Sequence, residues 1–238
     1  YRKLTELYRA GRLDCSHITT VNLDEYLGLS AGHPQSYRSF MRKNLFDGIG
    51  LSADRTFFPE IPERLSDCRK NIPPSIGGIR NETNQDIETA LAEACRRYDE
   101  LLRSLGGTDL QLLGIGRNGH IGFNEPGDTF IRNTHTVILA ENTRQANARF
   151  FSSIDDVPTR ACTMGIGGIF SAKKILLLAN GAQKAQALQA AFCGPVTPQV
   201  PASILQLHPD VTVIADEAAG QLLADGLSAR RKPTFAVL

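Results

Sequence analysis

Short apolar runs alternate along the chain with longer amphipathic stretches. Residues 18–23 (ITTVNL) are β-branched at their start and end at the acidic pair Asp24-Glu25. Residues 109–115 form a second run, which ends in glycines, and 134–139, 175–179 and 211–215 are three more. Runs of this length, rich in β-branched and aliphatic residues, predict strands. The clearest helix is expected over 86–105, where Ile87, Ala90, Leu91, Ala94, Cys95, Tyr98, Leu101, Leu102 and Leu105 recur at three- and four-residue spacing. A second is expected over 182–192. Strands that alternate with helices imply crossover units, hence an α/β fold with a mostly parallel sheet.

Residues 61–83 break this rhythm. They hold Pro62, Pro73, Pro74, Gly77 and Gly78 with little periodicity, which predicts an inserted surface loop. It is longer than ordinary connections by roughly twenty residues. Neither flank looks like a complete domain, so the expectation is one domain over residues 1–238.

Composition narrows the class. The chain is 42% hydrophobic and 21% charged over 238 residues, enough to bury a sizeable core. Basic and acidic residues number 26 and 25 with no block of either sign, so nothing favours a nucleic acid or a membrane surface as partner. The run 175–179 is far too short to span a bilayer. The five cysteines, at 15, 68, 95, 162 and 193, are widely spaced with no CxxC pair. That argues against a disulfide framework or a structural zinc site and fits a reducing cytoplasm.

Candidate chemistry gathers after the second strand. Gly114-Ile-Gly116-Arg-Asn-Gly119 matches the dinucleotide fingerprint, which requires a helix to start directly after the loop. Two further glycines and Pro126 follow instead, so a ligand-binding loop at the carboxyl end of a strand is the better reading. A plain tight turn would explain the glycines but not the crowding of Asn118, His120, Asn124 and Glu125. His120 and Glu125 are either a dyad, with the carboxylate orienting the imidazole for proton transfer, or a structural pair. Metal binding does not suit their spacing. Asp24, at the end of the first strand, is either a general base or a capping residue. Arg149 and Lys184 are either solvated charges or anion ligands. Lys184 is expected just inside the start of a helix, where a cation is unfavourable to the helix dipole unless an anion offsets it.

The blocks VNLDEYLGL (21–29), SYRSFMRKNLF (36–46), LLGIGRNGHIGFNEPG (112–127), TRQANARFF (143–151), TMGIGGIF (163–170), NGAQKAQALQAA (180–191) and PASILQLHPDVTVIAD (201–216) resemble the glucosamine-6-phosphate deaminase family. The wider superfamily includes the 6-phosphogluconolactonases, and the NLDEY and GHIGFNEP blocks together look like the deaminase branch. The resemblance implies a Rossmann-like three-layer α/β sandwich, with a mostly parallel central sheet and helices on both faces. It implies an enzyme of amino-sugar catabolism that takes glucosamine 6-phosphate, without metal or organic cofactor, as a monomer or small homo-oligomer. Asp24 then looks like the base that moves a proton between C2 and C1. His120 looks like the catalyst of ring opening, with Glu125 and Asn118 in support. Arg149 and Lys184 resemble the phosphate ligands, and Arg149 falls in a segment that acts as an active-site lid.

Four departures accompany the resemblance. Family members carry a strand and a glycine- and Ser/Thr-rich phosphate loop upstream of the position of Tyr1. The natural polypeptide is therefore expected to extend upstream by roughly thirty to forty residues. Some members have Asp at the position of Asn118; an Asn can still orient a neighbour by hydrogen bonding. Allosteric members carry basic residues where this chain has His135 and Val137, so activation by an amino-sugar phosphate is not expected. The fourth departure is the length of 61–83. Three other functions remain open: a related sugar-phosphate isomerase or lactonase, an inactive sugar-phosphate-binding protein, and a dinucleotide oxidoreductase. Ammonia release, binding without turnover, and nucleotide titration separate them.

Overall fold

The apolar stripe over 86–105 becomes the longest helix in the computed structural model, which describes residues 1–61, 84–223 and 234–237. The elements run α1 (Arg2–Arg9), β1 (Thr20–Val21), β2 (Asp24–Tyr26), α2 (Tyr37–Met41), β3 (Thr56–Phe57), α3 (Asn84–Ser104), β4 (Leu110–Leu113) and β5 (His135–Ile138). They continue with α4 (Glu141–Ala148), β6 (Arg160–Thr163), α5 (Ile166–Phe170), β7 (Lys174–Ala179), α6 (Ala185–Cys193), β8 (Val211–Ala215), α7 (Glu217–Gly220) and β9 (Thr234–Val237). On α3, Leu91, Ala94, Cys95, Tyr98 and Leu102 are buried, the stripe that the spacing predicts. The loop expected over 61–83 lies outside the described residues apart from Ile61.

The chain divides into two compact units. One comprises Tyr1–Tyr98 and Thr136–Cys162. It holds a parallel pair, β1 with β3, and a three-stranded sheet in the order β2-β6-β5. One of its apolar clusters contains Cys15, Leu45, Phe46, Ile49, Leu51 and Phe58. Arg42–Phe46 continue α2 as a wider π turn, and Gly50 closes the following turn at φ 66°, a left-handed conformation that suits glycine. In a second cluster the buried thiols of Cys95 and Cys162 approach to 3.4 Å among Leu27 and Leu91.

The other unit comprises Asp99–His135 and Thr163–Leu238. Its sheet runs β4-β7-β8-β9, and each neighbouring pair is parallel. Register places Leu177 between Leu113 and Val213, all three almost wholly buried. Each such side chain contributes about 1.5–3 kcal/mol relative to exposure. These parallel strands and their intervening helices are the α/β class that the alternation predicts. Among the described residues the strands are shared among three sheets. β4 ends one residue before Gly114, so this sheet presents the glycine cluster at the carboxyl end of a strand.

Candidate active site

The loop from Gly114 to Gly127 contains no helix, so the requirement of the dinucleotide fingerprint is not met. The loop closes on itself. Gly116 N–H donates to the His120 carbonyl at 2.8 Å, and Gly119 N–H donates to the Gly116 carbonyl at 3.1 Å. It is also tied to the segment around Val200: Ala202 N–H donates to the Gly119 carbonyl, and Gly127 N–H donates to the Pro198 carbonyl. Asn124, buried, donates through Nδ2 to the carbonyls of Ile121 and Met164 at 2.9 Å each. Buried Ile121 and Phe123 anchor the same turn from below.

This frame brings three of the expected residues together. Asn118 Nδ2 donates to Glu125 Oε2 at 2.7 Å, and Asn118 Oδ1 accepts from the His120 backbone N–H at 3.2 Å. Nδ1 of His120 lies 3.3 Å from the same Glu125 Oε2. That is ion-pair range, but the alignment is not that of a hydrogen bond. The two side chains are only 20% and 12% exposed, so the pair is poorly solvated while still reachable. The resulting constellation is an imidazole beside a carboxylate, with an amide holding both in register. Such a set can accept and return a proton, with the carboxylate stabilising the imidazolium.

Lys184 joins the same loop. Its Nζ donates to the Ile115 carbonyl at 2.5 Å. The expected position just inside a helix is corrected slightly: Lys184 ends the 3₁₀ turn Ala182–Lys184 and is the N-cap residue of α6. The cause is Gly181, whose φ of 87° turns the chain sharply after β7. Asp216 fixes that turn by accepting the Gly181 N–H on both carboxylate oxygens, at 3.0 and 2.9 Å.

Asp24 and Arg149 belong to the other unit. Asp24 begins β2 instead of following a strand, because the run read as 18–23 splits into β1 and β2. The backbone before it is held by Tyr98, whose hydroxyl donates to the Asn22 carbonyl at 2.6 Å. The backbone after it is held by Glu25. This buried carboxylate accepts from the N–H groups of Tyr26, Tyr37 and Arg38 at 2.9, 2.9 and 3.0 Å. Burial pushes the Glu25 carboxyl up from its ordinary range, and the three N–H donors work against that rise. The paired acids therefore separate in role: Glu25 caps α2 and Asp24 is left at the strand edge. Arg149 follows α4, is exposed, and lies 4.7 Å over the Phe150 ring.

Sequence reasoning missed several residues around these groups. Tyr26 and Tyr37 stack with centroids 5.2 Å apart, and burial pushes the Tyr26 phenol up to about 12. Asn147 Nδ2 donates to the Tyr26 hydroxyl at 3.0 Å. The signal that could have flagged Tyr26 is its two-residue spacing from Asp24, which puts both on one face of a strand. His135 donates from Nδ1 to the Asn133 carbonyl at 2.9 Å, and burial lowers its pKa. Among the described residues no cluster of three or more His, Cys, Asp or Glu could hold a metal ion. No helix among them is long and apolar enough to cross a membrane.

Comparison with known proteins bears on this arrangement. Residues 1–214 match the family of glucosamine-6-phosphate isomerases and 6-phosphogluconolactonases. The chain is 46% identical over 223 residues to a glucosamine-6-phosphate deaminase of Clostridium perfringens, covering 94% of this chain and 82% of that protein. It is 50% identical over 214 residues to one from Lachnoclostridium phytofermentans, covering 90% and 80%. A solved monomeric glucosamine-6-phosphate deaminase superposes with a TM-score of 0.78 at 46% identity, covering 93% of this chain and 82% of that one. A 6-phosphogluconolactonase from Leishmania guyanensis shares the fold, with a TM-score of 0.62 at 18% identity over 96% of this chain and 82% of that one. The chain therefore belongs to the glucosamine-6-phosphate isomerase/6-phosphogluconolactonase family, with the Rossmann-like α/β fold that the resemblance implies.

Proposed function

We propose that this protein is an enzyme that isomerises and deaminates glucosamine 6-phosphate, converting it and water to fructose 6-phosphate and ammonia. The observation that carries the reading is the Asn118–Glu125–His120 set in one closed loop. Its type suits opening of a pyranose, where a proton must leave the C1 hydroxyl and another must reach the ring oxygen. His120 moves that proton while Glu125 stabilises the imidazolium and Asn118 keeps Glu125 turned toward the ring. Asp24 then removes the C2 proton and returns it to C1, while a second proton passes from the C2 ammonium to the C1 oxygen, which becomes a hydroxyl. The resulting C2 iminium adds water and expels ammonia, leaving the ketose. Arg149 and Lys184 hold the phosphate, a charge-assisted task for which a guanidinium and an ammonium are suited. Likeness at 46–50% identity to named deaminases supports this branch over the lactonases, which share only the fold.

The same likeness supports a cytoplasmic metabolic role, acting as a monomer like the solved deaminase. The test is enzymatic ammonia release from glucosamine 6-phosphate, run beside hydrolysis of 6-phosphogluconolactone. Ammonia release lost in His120→Ala supports the assignment. Lactone hydrolysis without ammonia release would overturn it.

A further inference from the structure

We infer that Tyr26 is a positioning residue, whose hydroxyl latches the Arg149-bearing segment after α4 to the strand that carries Asp24. The inference rests on the deaminase reading above and names a residue to which that reading gives no part. Asp24 and Tyr26 occupy the first and third positions of β2, so their side chains leave the same face, while Glu25 leaves the other and caps α2. Tyr26 is 5% exposed, yet its hydroxyl accepts from Asn147 Nδ2 at 3.0 Å. Its ring meets Phe151 edge-on, with centroids 6.1 Å apart and planes at 83°. Asn147 lies two residues before Arg149 and Phe151 two residues after it. One buried side chain therefore grips the segment on both sides of the cation.

The surroundings make the grip directional. Tyr37 stacks on the Tyr26 ring, and the two hydroxyls are hydrogen-bonded. His33 stacks on Phe151 at 6.4 Å. Arg149 and Phe150 stay exposed and packed on each other, while Asn147 and Phe151 are half-buried, so the anchors are covered more than the cation they flank. A phenylalanine at position 26 would keep every ring contact. The hydroxyl adds one neutral hydrogen bond to the segment, and a bond of that size holds loosely enough to release in each turnover.

The test uses the full chain with Tyr26→Phe, Asn147→Leu and the double variant. Because the chain contains no tryptophan, Phe150→Trp in each background provides a single fluorescent reporter on the segment. Each single variant should raise KM for glucosamine 6-phosphate about 2- to 10-fold, the range of one lost hydrogen bond, with kcat changed less than about twofold. The double variant should be no worse than the poorer single. Unchanged KM, multiplicative losses, or a fall in kcat alone would overturn the latch. If the wild type releases no ammonia, the deaminase reading fails and acrylamide quenching of the reporter still decides the latch. Equal, non-additive increases in quenching support it, and unchanged quenching overturns it. Should Tyr26→Phe fail to fold, Asn147→Leu carries both measurements.

Discussion

The His120 ring lies directly against the backbone of Gly116, so closely that a Cβ at position 116 would sit 2.5 Å from Nδ1 and Nε2. The loop hydrogen bond from Gly116 N–H to the His120 carbonyl holds the two together. Glycine is needed here for room, since Gly116 is not among the positive-φ positions. Gly116→Ala should therefore displace the imidazole from Glu125 without unfolding the sheet. Loss of a positioned acid–base group costs about 10²–10⁴-fold in rate. We predict a kcat loss toward that range with a native far-ultraviolet circular dichroism spectrum. Near-native kcat would show that the ring needs no such cradle.

Because Asn118 and Nδ1 of His120 converge on one Glu125 oxygen, we predict that His120 and Glu125 act as a unit. Each alanine substitution alone should remove most of the activity, and the double variant should be scarcely worse than the poorer single. Asn118→Ala should fall between these and the wild type, since it loosens Glu125 without removing it. Ammonia-release kinetics on the four variants measure the coupling, and fully multiplicative losses would dissolve the unit.

The adjacent acids at 24 and 25 should respond in different measurements. Asp24→Asn should lower kcat by about 10²–10⁴-fold and leave substrate binding nearly intact, as for loss of a general base. Glu25→Ala should instead lower stability, because the half-buried N–H groups of Tyr37 and Arg38 lose their acceptor. Removing a helix N-terminal acceptor costs about 0.5–2 kcal/mol. Urea midpoints and turnover on both variants separate the two roles. A stable, inactive Glu25→Ala would mean that the base has been assigned to the wrong acid.

How far this division was legible in the sequence follows from element length and chemistry. α3, β4, β7 and β8 are long or apolar enough for periodicity to register, and all were read close to their observed bounds. β6 was not read, because its buried positions are the small or polar Ala161, Cys162 and Thr163, preceded by the charged Arg160. β2 was hidden because its three residues are Asp24, Glu25 and Tyr26, which look like a turn after a strand. The crowding of Asn118, His120 and Glu125 was visible because local sequence and loop closure coincide there. The spacing of Tyr26 from Asp24 could place it on the same face, but the partners of Tyr26, Asn147 and Asp216 come from distant segments, which no local pattern encodes.

Asp216 should matter to phosphate binding although it carries the wrong charge for it. Its carboxylate is occupied by the N–H groups of Gly181 and Ala219, so it sets the turn from which Lys184 projects and caps α7. Asp216→Ala should raise KM for glucosamine 6-phosphate about tenfold, and should destabilise the fold by about 1 kcal/mol through the lost cap. Lys184→Met should raise KM further with the fold unaffected. A destabilised Asp216→Ala enzyme with native KM would limit Asp216 to structure.

The last prediction concerns His135. Its Nδ1 donates to the Asn133 carbonyl, and burial disfavours the imidazolium and lowers the pKa. With Val137 two residues on, β5 offers no fixed cation where the allosteric relatives carry basic residues. We predict that N-acetylglucosamine 6-phosphate at pH 7.5 leaves the substrate curve hyperbolic and unshifted; a sigmoidal curve made hyperbolic by that compound would refute this. The same burial has a second consequence. A histidine with a folded pKa below its unfolded value, about 6.5, contributes stability that is fully present above the unfolded pKa. That contribution is lost as pH falls through the window beneath it, since the unfolded chain then binds the extra proton. His135→Gln removes the titration and keeps a donor for the Asn133 carbonyl. The wild type should therefore lose more stability than the variant between about pH 7 and pH 5, measured as the change in urea midpoint. Equal losses would mean that His135 accepts its proton as readily in the folded protein as in the unfolded chain, and that β5 can present a cation after all.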